Sequence, residues 1–216
     1  MRLIWILGDQ LLPEHPLLTS PAKDGLVGMI ESAPRAGHLR YHQQKLTLLY
    51  AAMRHHAAVL KKAGHRVLYR RLTEGPPADG YAEVLRRWVR EHKIKEIHLL
   101  DPNEYDTQQA LPTLSKKLGV PIQTHRSPQF VVPRADFSAW ANGKKHLLME
   151  AHYRRLRTER NILMTAKGQP EGGDWNLDDQ NRRTFREFAK EKPKIPPLPS
   201  AEKDPVIREA ATEVAK

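Results

Sequence analysis

Three short polar clusters each follow a predicted buried strand, and they hold the side chains best suited to binding chemistry. They are Gly8-Asp9-Gln10, Glu31-Ser32 and Asp101-Pro102-Asn103-Glu104. In an open α/β sheet, ligands bind outside the carboxyl ends of the strands, where the strand order reverses. Together the clusters predict a crevice for a small molecule, into which Asp9 and Gln10 offer hydrogen-bond acceptors and donors.

Each cluster also has a purely structural interpretation. Asp9 can cap a turn, and Glu31 can form an ion pair with Lys45 or Arg40. For any single residue the structural interpretation is the better one. The coincidence of three polar clusters at three strand ends favours the crevice.

Several other chemistries lack their usual sequence signals. The chain has no glycine-rich phosphate loop of either common spacing and no Gly-x-Ser-x-Gly nucleophile elbow. It has no cysteine, which excludes thiol nucleophiles, disulfides and cysteine-held zinc or iron–sulfur clusters within it. The eleven histidines form no metal-binding motif, since His55 and His56 are adjacent and project in different directions.

Short apolar runs alternate with amphipathic stretches over the first 125 residues. The predicted strands, nearly continuous in apolar character, are Leu3–Leu7, Leu26–Ile30, Arg66–Tyr69, Ile97–Leu100 and Pro121–Gln123. The predicted helices are His38–Ala63, Tyr81–His92 and Thr107–Leu118. This alternation predicts right-handed crossovers and a doubly wound, five-stranded parallel sheet of the Rossmann-like class, with the strands in a flavodoxin-like order.

The pattern changes beyond Arg126. Helices are predicted at Ala135–Ala141 and Lys144–Asn161, and a polar, proline-rich stretch with linker chemistry precedes a short helix, Pro205–Val214. Three segments follow from these shifts: an α/β domain over residues 1–130, a helical extension packed on it over 131–183, and a linker with a terminal helix over 184–216.

The segment Asn142–Asn161 is the strongest candidate for nucleic-acid contact, because cations are interleaved with Trp140 and Tyr153. The candidate contacts are Lys144, Lys145, Arg154, Arg155 and Arg157. The alternative is an amphipathic helix whose arginines form the solvated side. Glu150 and Glu159, mixed among the cations, favour that alternative.

The net charge of +11 favours polyanionic partners such as DNA. Basic residues are spread over the whole chain, however, so a generally basic protein is an equal alternative. No apolar run approaches the length of a membrane span, and the N-terminus lacks a signal-peptide cleavage site. A cytoplasmic protein is expected.

Five motifs, in order over residues 3–183, resemble the deoxyribodipyrimidine photolyase-related proteins, the iron–sulfur branch of the bacterial photolyase/cryptochrome superfamily. The motifs are Ile6–Leu11, His42–Lys45 with Ala51–His55, Asp101–Tyr105, Ala139–Lys145 with Met149–Arg154, and Gly172–Asp178 with Asn181-Arg182. Each alone is weak, and their shared order makes the resemblance specific.

The resemblance implies an N-terminal antenna-chromophore domain, which a linker joins to a helical domain holding FAD and an iron–sulfur cluster. That helical domain would be missing here and supplied in cis or in trans, so this chain alone is expected to be inactive. The family's antenna is 6,7-dimethyl-8-ribityllumazine. The cofactor-binding positions that the resemblance implies are Asp9, Gln10, Glu31, Lys45, Asn103 and Glu104.

Three nearby positions depart from the family pattern. Arg35 stands where the family often carries an acidic residue, Asn103 replaces a glycine, and His38 replaces a tyrosine. Asn103 adds bulk where a glycine would let a ring lie against the backbone. The crevice is therefore expected to hold the lumazine, another chromophore, or none.

The favoured hypothesis is the antenna-type domain of a DNA-repair lyase or blue-light protein. In a full-length relative the antenna passes excitation to FAD, which donates an electron to a pyrimidine dimer or (6-4) lesion. One alternative is a stand-alone nucleic-acid-binding accessory module, suggested by the charge. Another is a nucleotidyl-transfer enzyme, which fold analogy alone supports.

Overall fold

A computed structural model describes residues 1–21, 23, 25–176, 184–190, 194, 196–197 and 204–215. The chain forms two compact units, one of Met1–Val131 with Ser200–Lys216 and the other of Val132–Pro199. Most of the proline-rich stretch and the motif residues 177–182 lie outside the described residues.

The first unit is built on a parallel sheet, and the described part of the second consists of short helices and loops. In chain order the elements are β1 (Arg2–Trp5), β2 (Leu26–Ile30), α1 (Ala33–Ala36), α2 (Gln43–Lys62), β3 (Arg66–Arg70), α3 (Tyr81–Glu91), β4 (Glu96–Leu100), α4 (Tyr105–Leu118), β5 (Ile122–His125), α5 (Arg134–Ala141), α6 (Met149–Arg160), α7 (Phe185–Lys190) and α8 (Pro205–Val214).

The five strands pair in parallel in the order β3-β2-β1-β4-β5. The predicted five-stranded, doubly wound parallel sheet is thus confirmed, but the flavodoxin-like order is wrong. In that order β2 would be an edge strand. All five residues of β2 are buried, whereas β3 is half-exposed and has an arginine at each end. The apolar β2 therefore takes an interior position, and β3 forms the edge.

Two predicted helices begin later than expected. The helix predicted from His38 begins at Gln43, because the His42 imidazole caps it by accepting a hydrogen bond from the Gln44 N–H at 3.2 Å. The short helix α1 intervenes, capped by Ser32. In the second unit, the helix predicted from Lys144 begins at Met149.

Side chains alternate along the strands to form a core on each face of the sheet. One core, against α3 and α4, contains Leu3, Trp5, Leu85 and Trp88. A Cβ added to Gly28 of β2 would lie 2.9 Å from the Trp88 ring, so glycine is what lets this large ring pack on the strand.

The other core is covered by α2 and also by the terminal helix α8. Ala210 of α8 is fully buried in the cluster that contains Ile4, Val27 and Met53. Two carboxylates of α8 also form ion pairs with the α/β unit. Glu213 pairs with Arg54 of α2, and Glu209 pairs with Arg71, which follows β3. The helix that the sequence placed after a linker is therefore part of the α/β unit. Within the described part of the chain, no helix is both long and apolar enough to cross a bilayer.

Candidate functional site

A cavity of about 270 Å³ opens at the carboxyl edge of the sheet. From β1 the chain adds β2 and then β3 on one side, and it crosses to place β4 on the other side of β1. The strand order therefore reverses at the end of β1, which contributes Leu7, Gly8 and Asp9 to the cavity wall. This is the place where open α/β sheets bind ligands.

The floor of the cavity is apolar. It is formed by Leu7, Ile30, Leu46, Leu49 and Met53, from the ends of β1 and β2 and one face of α2. A Cβ on Gly8 would lie 3.0 Å from the Met53 sulfur and 3.1 Å from the Leu49 Cδ1. Glycine at this strand end therefore allows α2 to lie close against the floor.

Three tyrosines, Tyr41, Tyr50 and Tyr81, add aromatic surface to the wall. Burial raises the pKa of Tyr81 to about 12. Burial and the nearby Glu31 carboxylate raise the pKa of Tyr50 further, and its hydroxyl donates to the Ser32 carbonyl at 3.3 Å. Both hydroxyls therefore stay protonated at neutral pH. Such a wall suits a flat, partly polar ring.

Four charged side chains stand at the rim: Asp9, Arg35, Lys45 and Glu104. Arg35 of α1 forms an ion pair with Glu104, the residue immediately before α4. The Lys45 ammonium lies 4.6 Å from the centroid of the Tyr41 ring, and among the described residues it has no ion-pair partner. The rim thus carries both acceptors and donors.

Two side chains from outside the cavity hold Asp9 in place by hydrogen bonds. The Asn103 side-chain amide donates to the Asp9 carboxylate at 2.8 Å, and the Gln129 amide donates to the Asp9 carbonyl at 2.6 Å. Asn103 thus supports a rim residue and does not itself line the cavity. The asparagine side chain, which a glycine would lack, makes this hydrogen bond to Asp9 and does not fill the cavity.

Glu31 lies behind the cavity and does not line it. The residue is 1% exposed, and its carboxylate accepts two hydrogen bonds of 2.8 Å from Arg54. The Tyr69 hydroxyl donates to it at 2.5 Å, and the Leu72 N–H at 2.8 Å. The ion-pair partner expected from sequence, Lys45 or Arg40, was wrong, because α2 passes β2 with Arg54 directed at the strand end.

Gln10 is also turned away from the cavity. Its side-chain amide donates to the carbonyls of Leu100 and Asp101, at 3.3 and 3.0 Å. It is fully buried, and it joins the ends of β1 and β4. Of the six positions that the family resemblance implied, Asp9, Lys45 and Glu104 reach the cavity.

The sequence interpretation missed the tyrosines and Thr107. Tyr81 and Thr107 lie in the first turns of α3 and α4, and Tyr41 lies just before α2. Helices that follow parallel strands begin at the ligand-binding edge, so first-turn positions are the signal that could have found Tyr81 and Thr107.

The basic segment of the second unit is largely occupied by internal contacts. Arg154 pairs with Glu150 at 2.7 Å, and Arg155 with Glu159 at 2.9 Å, each one helical turn apart. Arg157 is buried and donates to the carbonyls of Ile162 and Leu163. Lys144 and Lys145 remain exposed, and the Lys144 ammonium lies 5.4 Å from the Trp140 ring centroid.

Within the residues that the structure describes, no three histidine, aspartate or glutamate side chains are grouped so that they could hold a metal ion.

Comparisons with known proteins point to one family. The model of the deoxyribodipyrimidine photo-lyase-related proteins matches residues 4–216. A (6-4) photolyase from Agrobacterium fabrum is 30% identical over 186 residues, which are 86% of this chain and 36% of that protein. An uncharacterized protein of Acanthamoeba polyphaga mimivirus is 26% identical over 151 residues, 68% of this chain and 74% of that protein. The chain therefore spans little more than a third of the curated photolyase that it matches.

Proposed function

Because the chain belongs to the deoxyribodipyrimidine photo-lyase-related protein family, we propose that its α/β unit is an antenna-type domain that binds a flat heteroaromatic chromophore. The observation that carries the proposal is the cavity at the switch point of the sheet, with its apolar floor and tyrosine-lined wall. The residues present fit such a group, since apolar surface holds a ring and a few polar groups orient its edge.

The volume of the cavity limits the size of the ligand that it can hold. At about 270 Å³ it is near the lower end of small-molecule sites, which begin at roughly 300 Å³. A two- or three-ring system fits, with a polar chain extending to the rim. The family's lumazine is the first ligand to test, and flavins and folates are the alternatives.

In this proposal the chain's own residues bind and orient the chromophore, which when bound supplies absorption of near-ultraviolet and blue light. Leu49 and Met53 exclude water from one side of the ring, while the Tyr81 hydroxyl and the rim groups hold its polar edge. FAD and an iron–sulfur cluster belong to a helical domain outside this chain, joined in cis or in trans. DNA repair by a lyase, or blue-light signalling, is the activity of that larger assembly.

Filling the cavity should abolish chromophore binding. Leu49→Trp places a large ring on the floor and is expected to weaken binding of 6,7-dimethyl-8-ribityllumazine or riboflavin at least about a hundredfold, the equivalent of about 3 kcal/mol. Fluorescence titration measures the affinity. Leu48→Trp is the matched control, because the neighbouring Leu48 is 71% exposed and does not line the cavity. Equal binding by both variants would place the chromophore elsewhere.

A second candidate function is nucleic-acid binding by the second unit, favoured by the exposed Lys144 and Lys145 beside Trp140. We propose that these lysines, and not the paired arginines, make the phosphate contacts. Lys144→Gln with Lys145→Gln should weaken binding of single-stranded DNA and reduce the salt slope by about 1.4. Arg154→Gln with Arg155→Gln removes the same charge, but from groups already paired. Binding that is insensitive to salt in the wild-type protein contradicts this candidate.

A further inference from the structure

The charged groups at the cavity rim are not equally available to a ligand. The Asp9 carboxylate is held by the Asn103 amide at 2.8 Å, so it is directed toward the loop between β4 and α4. Lys45 has no carboxylate partner among the described residues. Arg35 has a carboxylate partner, Glu104, which a ligand anion could replace.

The Arg35–Glu104 pair is exposed, with 30% and 51% of the two side chains accessible. Exposed ion pairs contribute little to stability, so exchanging one anion for another costs little free energy. Thr107 Oγ1 donates to the same Glu104 carboxylate at 3.1 Å, so the carboxylate keeps a hydrogen-bond donor when it releases Arg35. Arg35 is then free to bind a ligand anion at the cavity mouth.

Backbone electrostatics act in the same direction. Helix α2 begins at Gln43, beside Lys45, and α4 begins at Tyr105 without a side-chain cap on its first N–H groups. Helix N-termini carry partial positive charge and favour anions. The rim also holds two carboxylates, but Asp9 is engaged by Asn103 and Glu104 is exchangeable. The two cations and two helix starts around the opening therefore favour a dianion over a neutral chain.

We propose that the chromophore of this cavity carries a phosphate monoester, which Arg35 and Lys45 bind at the rim while the ring lies on the apolar floor. A phosphate monoester carries a charge of about −1.5 to −2 near pH 7, and the Arg35 guanidinium can bind two of its oxygens. Arg35, the departure from the family pattern, thereby becomes a specificity-determining residue. This inference rests on the proposed chromophore site and narrows the class of its ligand.

Riboflavin and riboflavin 5′-phosphate test the inference, because they share one ring and differ in the phosphate. The wild-type protein is expected to bind the phosphate form at least about tenfold more tightly, the effect of one charge-assisted contact. Arg35→Gln and Lys45→Gln should each remove most of that preference, because each weakens binding of the phosphate form far more than binding of riboflavin. Glu104→Gln should strengthen binding of the phosphate form, since it removes the competing anion.

The outcomes separate the two proposals. Equal affinity for both flavins in the wild-type protein, or loss of both in Arg35→Gln, overturns the phosphate inference and leaves the chromophore site standing. Binding of neither flavin, together with no binding of the lumazine or a folate, overturns the chromophore site itself. The phosphate preference should also shrink at high salt, because it is electrostatic.

Discussion

Glu31→Gln is expected to lower the free energy of unfolding by about 3–5 kcal/mol, the usual cost of removing one partner from a buried ion pair. The carboxylate accepts hydrogen bonds from Arg54, Tyr69 and Leu72 through both oxygens. Glutamine has the same shape but a single acceptor oxygen, and it leaves the Arg54 cation buried with less compensation. The hydrogen bond with Glu31 is also what chiefly raises the pKa of Arg54, so the guanidinium stays charged.

Denaturant titration of the two proteins measures the effect. Glu104→Gln is the matched control, because it breaks an exposed ion pair and should cost less than about 1 kcal/mol. The family resemblance assigned Glu31 to chromophore binding, whereas the structure places it behind the cavity. If Glu31→Gln kept wild-type stability and lost chromophore binding, the role implied by the resemblance would hold and this buried network would be wrong.

Ala210→Asp is expected to detach the terminal helix and to cost at least about 2 kcal/mol, because it buries a carboxylate without a partner. Ala210 is fully buried against the face of α2 that also packs on the sheet. Loss of the contact also frees Glu209 and Glu213 from Arg71 and Arg54. We expect faster amide exchange in α8 and in the facing side of α2.

Ala211→Asp provides the control for this substitution. It changes the same residue type in the same helix turn, but Ala211 is exposed. Helix propensity and helix-end effects are therefore closely matched, and the difference between the two variants reports burial. Equal stability and equal exchange in both variants would mean that α8 does not dock on α2 in solution.

The strands of the parallel sheet could be predicted because each is a short apolar run between polar turns, a pattern visible in the local sequence. Strand order is not local. β2 and β3 read alike as strands, and only the difference between a fully buried β2 and a half-exposed β3 distinguishes an interior from an edge position. The packing of α8 on α2 could not be predicted from sequence either, since an amphipathic helix shows which of its faces is apolar but not which element covers that face.

The candidate site likewise combines features that the local sequence predicts with features that depend on tertiary packing. The strand-end rule located the cavity edge and two of its rim residues, Asp9 and Glu104, and the family resemblance added a third, Lys45. The direction of each side chain was not predictable, because it depends on which helix passes which strand. Glu31 lies one residue before Ser32, yet Ser32 lines the cavity and Glu31 is drawn behind it by Arg54.

The most direct test of the proposed chromophore site is an absorption spectrum. The purified protein is incubated with the lumazine, riboflavin, riboflavin 5′-phosphate and a folate in turn, and free ligand is removed by gel filtration. A retained absorption band above the aromatic region, near one chromophore per chain and absent from Leu49→Trp but present in Leu48→Trp, is the predicted result. Protein that retains no such band with any of these ligands contradicts an antenna role for the cavity.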